Sequence, residues 1–422
     1  MAVYKFSALS DGQAIRFDPD ADDLLFDQTA ISAADVRLSP AGGDLRVAVA
    51  SKDVLLLDTG LRELSGDNVL FANGSRLVFG DDAGNVLTGS GGRDHLAGFG
   101  GDDTYFVTAG DFLADTSGND TVVSGVSWTL GAAFENLTLT GGAVTTGNGN
   151  NGANRIVGSD APNSLIGRAG DDTLSGNGGN DVFVMSTGGQ ATYGHDSIDG
   201  GAGTDTVDFR AHGRGPVVVD LANATMSGGG SATVFDVENV IGGGFDDQLT
   251  GDAGANLLSG EGGDDRLTGG EGNDSLRGGA GDDWLQGGFD FATSGNATGN
   301  DVLTGGAGRD SFVFRDNPNP FISSPEATAE RITDFVSCVD SLVFDDNVFP
   351  GVGEPGRFEA HDERFFAAGG ASAGHDASDR VIYDTASGRL YYDSDGSGEA
   401  HAQIIATLQG APNVTASDFA VI

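Results

Sequence analysis

Aspartates recur in this chain at a fixed interval, each followed two positions later by an apolar residue. From Gly242 to Val313 the sequence divides without a gap into eight nonapeptides, beginning at Gly242, Gly251, Gly260, Gly269, Gly278, Gly287, Asn296 and Gly305. The sixth positions are Asp247, Asn256, Asp265, Asp274, Asp283, Ala292, Asp301 and Asp310, and the eighth are Leu249, Leu258, Leu267, Leu276, Leu285, Ser294, Leu303 and Phe312. Two earlier blocks follow the same rule. Gly80 to Phe106 places Asn85, Asp94 and Asp103 at position six; Gly149 to Val184 places Asn154, Asn163, Asp172 and Asp181 there. After a six-residue break, two further copies carry Asp196 and Asp205.

Carboxylates spaced this way are metal ligands waiting for a metal. If two repeats complete one coil, aspartates 18 residues apart stand in one column at the ~4.8 Å spacing of neighbouring strands. Two such charges repel by about 3.5 kcal/mol at an effective dielectric near 20. A column of them resists folding unless a hard dication sits between turns. Carboxylates and turn carbonyls offer the all-oxygen shell that Ca²⁺ prefers, whereas Mg²⁺ wants a smaller, stricter octahedron. The twelve candidate calcium ligands are Asp94, Asp103, Asp172, Asp181, Asp196, Asp205, Asp247, Asp265, Asp274, Asp283, Asp301 and Asp310.

The elements that must position these acids are readable from the same frame. Glycines at positions one, two and four are expected to supply the positive φ values of a tight turn. Positions seven to nine form a very short strand whose middle residue faces inward. The stretch from Phe289 to Asn300 resembles an insertion, yet Asp283 and Asp301 are 18 residues apart, so it reads as a degenerate copy that kept its length. On that frame one face of the last block carries Asp247, Asp265, Asp283 and Asp301, all intact. The other carries Asn256, Asp274, Ala292 and Asp310, where calcium is expected to be weaker or missing.

Composition agrees with a cation-seeking chain. The 422 residues hold 63 acidic against 21 basic side chains, a net charge of −42. Such a chain is repelled by nucleic acid and anionic membranes. The 25 phenylalanines and the regular placement of acids argue against a disordered acidic tail. A single cysteine, Cys338, excludes an internal disulfide, so bound metal is the available staple. The N-terminus has no apolar signal-peptide core, and no transmembrane segment is present in the sequence.

The pattern Gly-Gly-x-Gly-x-Asp-x-apolar-x, best kept at Gly269–Arg277 and Gly278–Gln286, resembles the RTX, or hemolysin-type calcium-binding, repeat family. The resemblance implies an all-β fold of parallel β-roll or β-solenoid blocks, with the position-six aspartates as calcium ligands. The segments 134–141 and 237–242 resemble the lead-in strands of such arrays, and 379–422 resembles the family's terminal secretion region. The resemblance further implies a Gram-negative source, with export by type I secretion machinery that reads an uncleaved C-terminal signal, here ending Asp418-Phe-Ala-Val-Ile422. Folding would then await extracellular calcium.

The expected organisation is a β-rich N-terminal domain or cap (1–79), a first short block with linking strands (80–148), a second block with linking strands (149–241), the main roll (242–313) and a β-rich C-terminal region (314–422). Val381 to Asp393 reads as a hairpin turning at Ser387-Gly388. Asp393 to Glu399 begins like an EF-hand loop, but its twelfth position is Ile404, which makes it a polar turn.

No catalytic residues are assigned. There is no His-Glu-x-x-His and no Gly-x-Ser-x-Gly. The six histidines are scattered, with His95 and His195 expected at the surface. Acid pairs such as Asp264-Asp265 are explained by repeat position, the first acid pointing outward. The reading is a secreted, extracellular or cell-surface protein that is not an enzyme: a surface-layer, matrix or adhesion component, with self-assembly or a cell-surface glycan as possible partners. The alternative is a polysaccharide-active enzyme or a toxin-related protein with an unfamiliar site.

Overall fold

The protein's structure, a computed structural model, describes residues 2–288, 300–315, 329–398 and 401–422. These residues are almost entirely short strands and turns. They group into two compact units, Met1–Gly179 and Asn180–Ile422, the division falling within the second repeat block.

The second unit shows the roll most clearly. Each repeat contributes a short strand, and the strands pair in parallel, in register, with those of the next coil. Leu249, Leu267, Leu285, Phe312, Leu342 and Phe419 form one apolar column. Phe183, Val207, Val240, Leu258, Leu276, Leu303, Ile332 and Leu408 form the other. Every described position-eight residue of the main block is fully buried. The alternation of side chains along a strand turns these residues inward, and their neighbours outward. Replacing Leu267 by Ala removes the middle of a column with no room to collapse. The expected loss is about 2–5 kcal/mol, read by urea unfolding in calcium.

The register corrects the expected faces of the main block. Ser275–Ala280 pairs with Val302–Ala307, so Ser275 stands opposite Val302 and Leu276 opposite Leu303. Trp284 likewise stands opposite Ser311. The hydrogen bonds between position-six residues step by 27 residues here, against 18 elsewhere in the block. One column therefore holds Asp247, Asp265, Asp283 and Asp310, and the other Asn256, Asp274 and Asp301. Ala292 and most of the stretch read as a degenerate copy lie outside the described residues. The physical reason for the longer step is visible in the sequence. A coil through Ser294 and Ala292 would set a hydroxyl in the apolar column and a methyl in the acid column; the observed pairing keeps both columns chemically uniform.

In the first unit the linking strands prove to be coils of a parallel roll. Leu87, Tyr105, Val122, Leu137, Ile156 and Leu174 stack in parallel register from the first block into the second. The coil length varies between 15 and 19 residues along this column. The N-terminal residues build their own core from Phe6, Phe17, Leu24, Phe26, Leu45, Leu56 and Phe71, among others. Asp44–Val49 and Lys52–Leu57 form an antiparallel pair. Leu77–Phe79 then pairs with His95–Ala97 in parallel, which joins this core to the first repeats.

In the C-terminal region Val381–Asp384 and Arg389–Tyr392 form the expected hairpin, with Gly388 at φ 78 in the turn. The last strand, Phe419–Val421, lies parallel to Ser341–Phe344. No described helix is long and apolar enough to cross a membrane.

Candidate metal centre

The structure buries all twelve candidate aspartates. What holds them is a ladder that the side chains share with the backbone. The N–H of Asp247 donates to Asp265 Oδ1 (2.7 Å), that of Asp265 to Asp283 Oδ1 (2.8 Å), and that of Asp283 to Asp310 Oδ1 (3.0 Å). In the other column Asn256 donates to Asp274 and Asp274 to Asp301, both at 2.8 Å. The same bond joins Asp181 to Asp205, Asn154 to Asp172, Asn85 to Asp103 and Arg76 to Asp94. Asp196 is buried too, and its register partner on Ser231–Phe235 is Ala232. The outward acids at position five make a second, exposed ladder, Asp264 N–H to Asp246 and Asp282 N–H to Asp264.

Acids outside the nonapeptide frame extend the buried ladder. Asp94 N–H donates to Asp111, Asp103 N–H to Asp120, Asp120 N–H to Glu135, Asp205 N–H to Glu238 and Asp310 N–H to Asp340. The frame misses these five. A shorter signal finds them: each is an acid followed two residues later by a buried or half-buried apolar side chain, as in Asp120-Thr-Val122, Glu135-Asn-Leu137 and Asp340-Ser-Leu342.

The turns fall into two kinds. In the first, positions two and four take positive φ, as at Gly279 (122°) and Gly281 (140°), or Glu261 (73°) and Gly263 (113°). Position one does not, contrary to the expectation from sequence. Its glycine is required by space. A Cβ on Gly278 would lie 2.6 Å from the Gly305 carbonyl oxygen and closer still to Asp283 Oδ2. One on Gly242 would lie 2.5 Å from Asp247 Oδ2 and 2.8 Å from the Gly260 oxygen. The missing methyl leaves a cradle lined by a carboxylate and by the carbonyl of the next coil.

In the second kind of turn a polar residue at position two replaces the left-handed backbone. Asp81, Ser90, Asn150, Ser159 and Asp252 accept a hydrogen bond from the position-four N–H. Their own N–H donates to the position-six side chain, Asn85, Asp94, Asn154, Asn163 or Asn256. These turns are satisfied without a cation, and four of the five carry Asn where a ligand would be Asp. Asp94 belongs here, its two oxygens taken by Ser90 and the Arg76 N–H. Asp247 is similarly saturated, by the N–H groups of Val217 and Gly243.

The acids of the first kind differ, and Asp120, outside the nonapeptide frame, behaves like them. Oδ2 of Asp103, Asp120, Asp205, Asp265 and Asp283 is buried and has no hydrogen-bond partner. A buried carboxylate oxygen without a donor is costly, and more so beside its like. Burial, followed by neighbouring acids, raises Asp265 to about 7 and Asp283 to about 6; burial lifts Asp172 to about 7 and Asp301 and Asp310 to about 6. Open oxygens, an oxygen-lined cradle and a local excess of negative charge fit a hard cation.

These features define a calcium-binding parallel β-roll. The RTX calcium-binding nonapeptide repeat matches residues 79–111, 148–183, 190–211, 241–276, 259–291 and 297–314, so these segments are RTX repeats, which bind multiple calcium ions. Among solved structures, the R3 subunit of the Azotobacter vinelandii mannuronan C5-epimerase AlgE6 is 25% identical over 42% of this chain and 80% of its own, with a TM-score of 0.18. The extracellular lipase LipA from Serratia marcescens is 18% identical over 76% of this chain and 45% of its own, with a TM-score of 0.19. No curated protein matches the chain.

The raised carboxyl values set a pH dependence whose sign follows from linkage. A carboxyl with a folded value above its unfolded one holds its proton more tightly when folded. In chelator, its stabilising contribution is present below about pH 4 and is lost as pH rises through 6 to 7. The metal-free chain should therefore show more β structure at about pH 5.5 than at about pH 7.5. With calcium present the order reverses, because protons then compete with the ion. Circular dichroism at both pH values, with and without chelator, checks this.

His95 is a correction: it is buried, not at the surface, and packs edge-on against Phe112 and Phe79. Burial drives its imidazole down to about 4, so it is neutral. His195 is exposed, as expected.

Proposed function

We propose that this chain is a calcium-folded extracellular protein, exported unfolded by type I secretion machinery and acting outside the cell as a non-enzymatic surface-layer, matrix or adhesion component. The observation that carries this is the set of buried, partnerless carboxylate oxygens along the roll. They make folding conditional on a cation-rich medium, which is the condition met on leaving a calcium-poor cytoplasm. The C-terminal strand supports the order of events. Phe419–Val421 is paired into the ladder with Phe419 and Val421 buried, so a signal there is open to a receptor only before folding.

The test is localisation in the native culture, by antibody, with and without chelator. Retention at the cell surface that chelator releases supports the proposal. Protein that stays inside the cell overturns export. Calcium-dependent turnover in a screen of polysaccharide substrates overturns the non-enzymatic reading in favour of a polysaccharide-active enzyme.

A further inference from the structure

The first unit contains one acid that the nonapeptide pattern does not supply. Asp115 lies on the strand Phe112–Ser117, beyond the residues matched as repeat, and pairs with Phe99 one coil below at a β-bulge that shifts the register. Counting back from Asp120, it occupies position one of its turn, the place that glycine holds elsewhere. Gly98 below it leaves the room, since a Cβ there would meet both Asp103 Oδ2 and the Tyr105 hydroxyl. The Asp115 side chain reaches over that turn and is fixed by three donors: the Tyr105 hydroxyl to Oδ2, and the N–H groups of Thr116 (2.5 Å) and Ser117 (3.0 Å) to Oδ1.

The result is a three-carboxylate cluster. One oxygen each from Asp103, Asp115 and Asp120 lies within 4.8 Å of the others. Asp103 and Asp120 are 1% and 0% exposed, and Oδ2 of each is buried without a hydrogen-bond partner. Their Oδ1 atoms are held by the N–H groups of Asn85 (2.6 Å) and Asp103 (2.8 Å), which fixes the direction of the open oxygens. No ion pair to any of the three exists among the described residues. The spread matches oxygens around an ion that takes ligands at about 2.3–2.6 Å on each side.

We propose that Asp103, Asp115 and Asp120 form a three-carboxylate calcium site, with Asp115 as an added ligand, and that this site binds more tightly than the ordinary turns of the roll. The proposal rests on the calcium-folding reading above. Its basis is charge count: an ordinary turn offers carboxylates only from position six, and affinity in oxygen sites rises with the number of anionic ligands. A trivalent lanthanide should favour it further. Tyr105, bonded to a ligand, is placed to sensitise a bound lanthanide.

The experiment uses the full chain, freed of metal by chelator, titrated with calcium by calorimetry and separately with Tb³⁺ under tyrosine excitation. The wild type should show one tight class followed by weaker sites, and sensitised emission with the first equivalent of Tb³⁺. Asp115→Asn should weaken the tight class by about tenfold or more, leaving the weaker sites and the calcium-saturated circular dichroism unchanged. Glu354→Gln, which removes an exposed acid elsewhere, should change neither. Tyr105→Phe keeps all three carboxylates and should lose most of the first-equivalent emission. An Asp115→Asn chain whose tight class shifts less than twofold overturns the proposal while leaving calcium folding intact. So does emission that survives Tyr105→Phe. A wild-type chain that binds no calcium at all defeats the underlying reading instead.

Discussion

Chelation of calcium from the full chain is expected to remove the roll's share of its β-sheet circular dichroism, and calcium restored to about 10⁻³ M should bring it back. The magnitude follows from mass action. A site with a dissociation constant near 10⁻⁴ M contributes about 1.4 kcal/mol at ~10⁻³ M free ion. Five open oxygens, on Asp103, Asp120, Asp205, Asp265 and Asp283, mark at least that many carboxylates seeking a cation. With Asp103 and Asp120 sharing one site and each of the other three marking its own, four sites supply about 6 kcal/mol, comparable to the whole net stability of an ordinary domain. Without the ion the sign changes, since the same columns then hold unscreened like charges. The N-terminal residues have a separate apolar core built around stacked Phe26 and Phe71. Some β signal from that region surviving in chelator is compatible with the expectation; a roll that keeps its full signal is not.

The second large effect is expected from one methyl group. Gly278→Ala places a Cβ against Asp283 Oδ2 and the Gly305 carbonyl, although its backbone φ is unexceptional. Neither neighbour can move freely. The carbonyl belongs to the next coil, and Asp283 is held through Oδ1 by the Asp265 N–H. Overpacking costs about 1–3 kcal/mol, and the lost cation site adds about 1.4 kcal/mol at ~10⁻³ M calcium. The expected total is about 2–4 kcal/mol in urea unfolding with calcium, accompanied by one fewer ion bound. Gly244→Ala is the control: no atom lies within 4 Å of its Cβ and its φ is not positive. It should change stability by no more than about 0.5 kcal/mol. Equal losses at the two positions would show that position-one glycines serve chain flexibility and not the cradle.

The glycine result shows where reasoning from residue type stops. In turns of the first kind, glycine at position one and glycine at position four look alike in the sequence, yet only the second is left-handed. The distinction lies in atoms one coil away, which no local rule contains. The two kinds of turn were half legible. Asn at position six is visible as a departure from Asp, but its link to a polar residue at position two emerges only from the hydrogen bonds of Asp252 and Asn256. Asp94 and Asp247 keep the consensus residue and still saturate their own oxygens, so residue identity alone cannot separate a cap from a ligand.

What the sequence determined by itself is periodic: the nine-residue frame, the inward side chain at position eight, the all-β roll and the demand for a hard cation. These follow from steric and electrostatic rules that act within one repeat or between copies at a constant interval. Where the interval changes, the tertiary structure decided. It matched Asp283 with Asp310 and Asp274 with Asp301 across a 27-residue step, because keeping an apolar column apolar outweighs keeping the count. It recruited Glu135 and Glu238 into the ladder through coils of irregular length. And it carried Asp115 to the open oxygens of Asp103 and Asp120, a meeting set by the pairing of strands and not by any spacing along the chain.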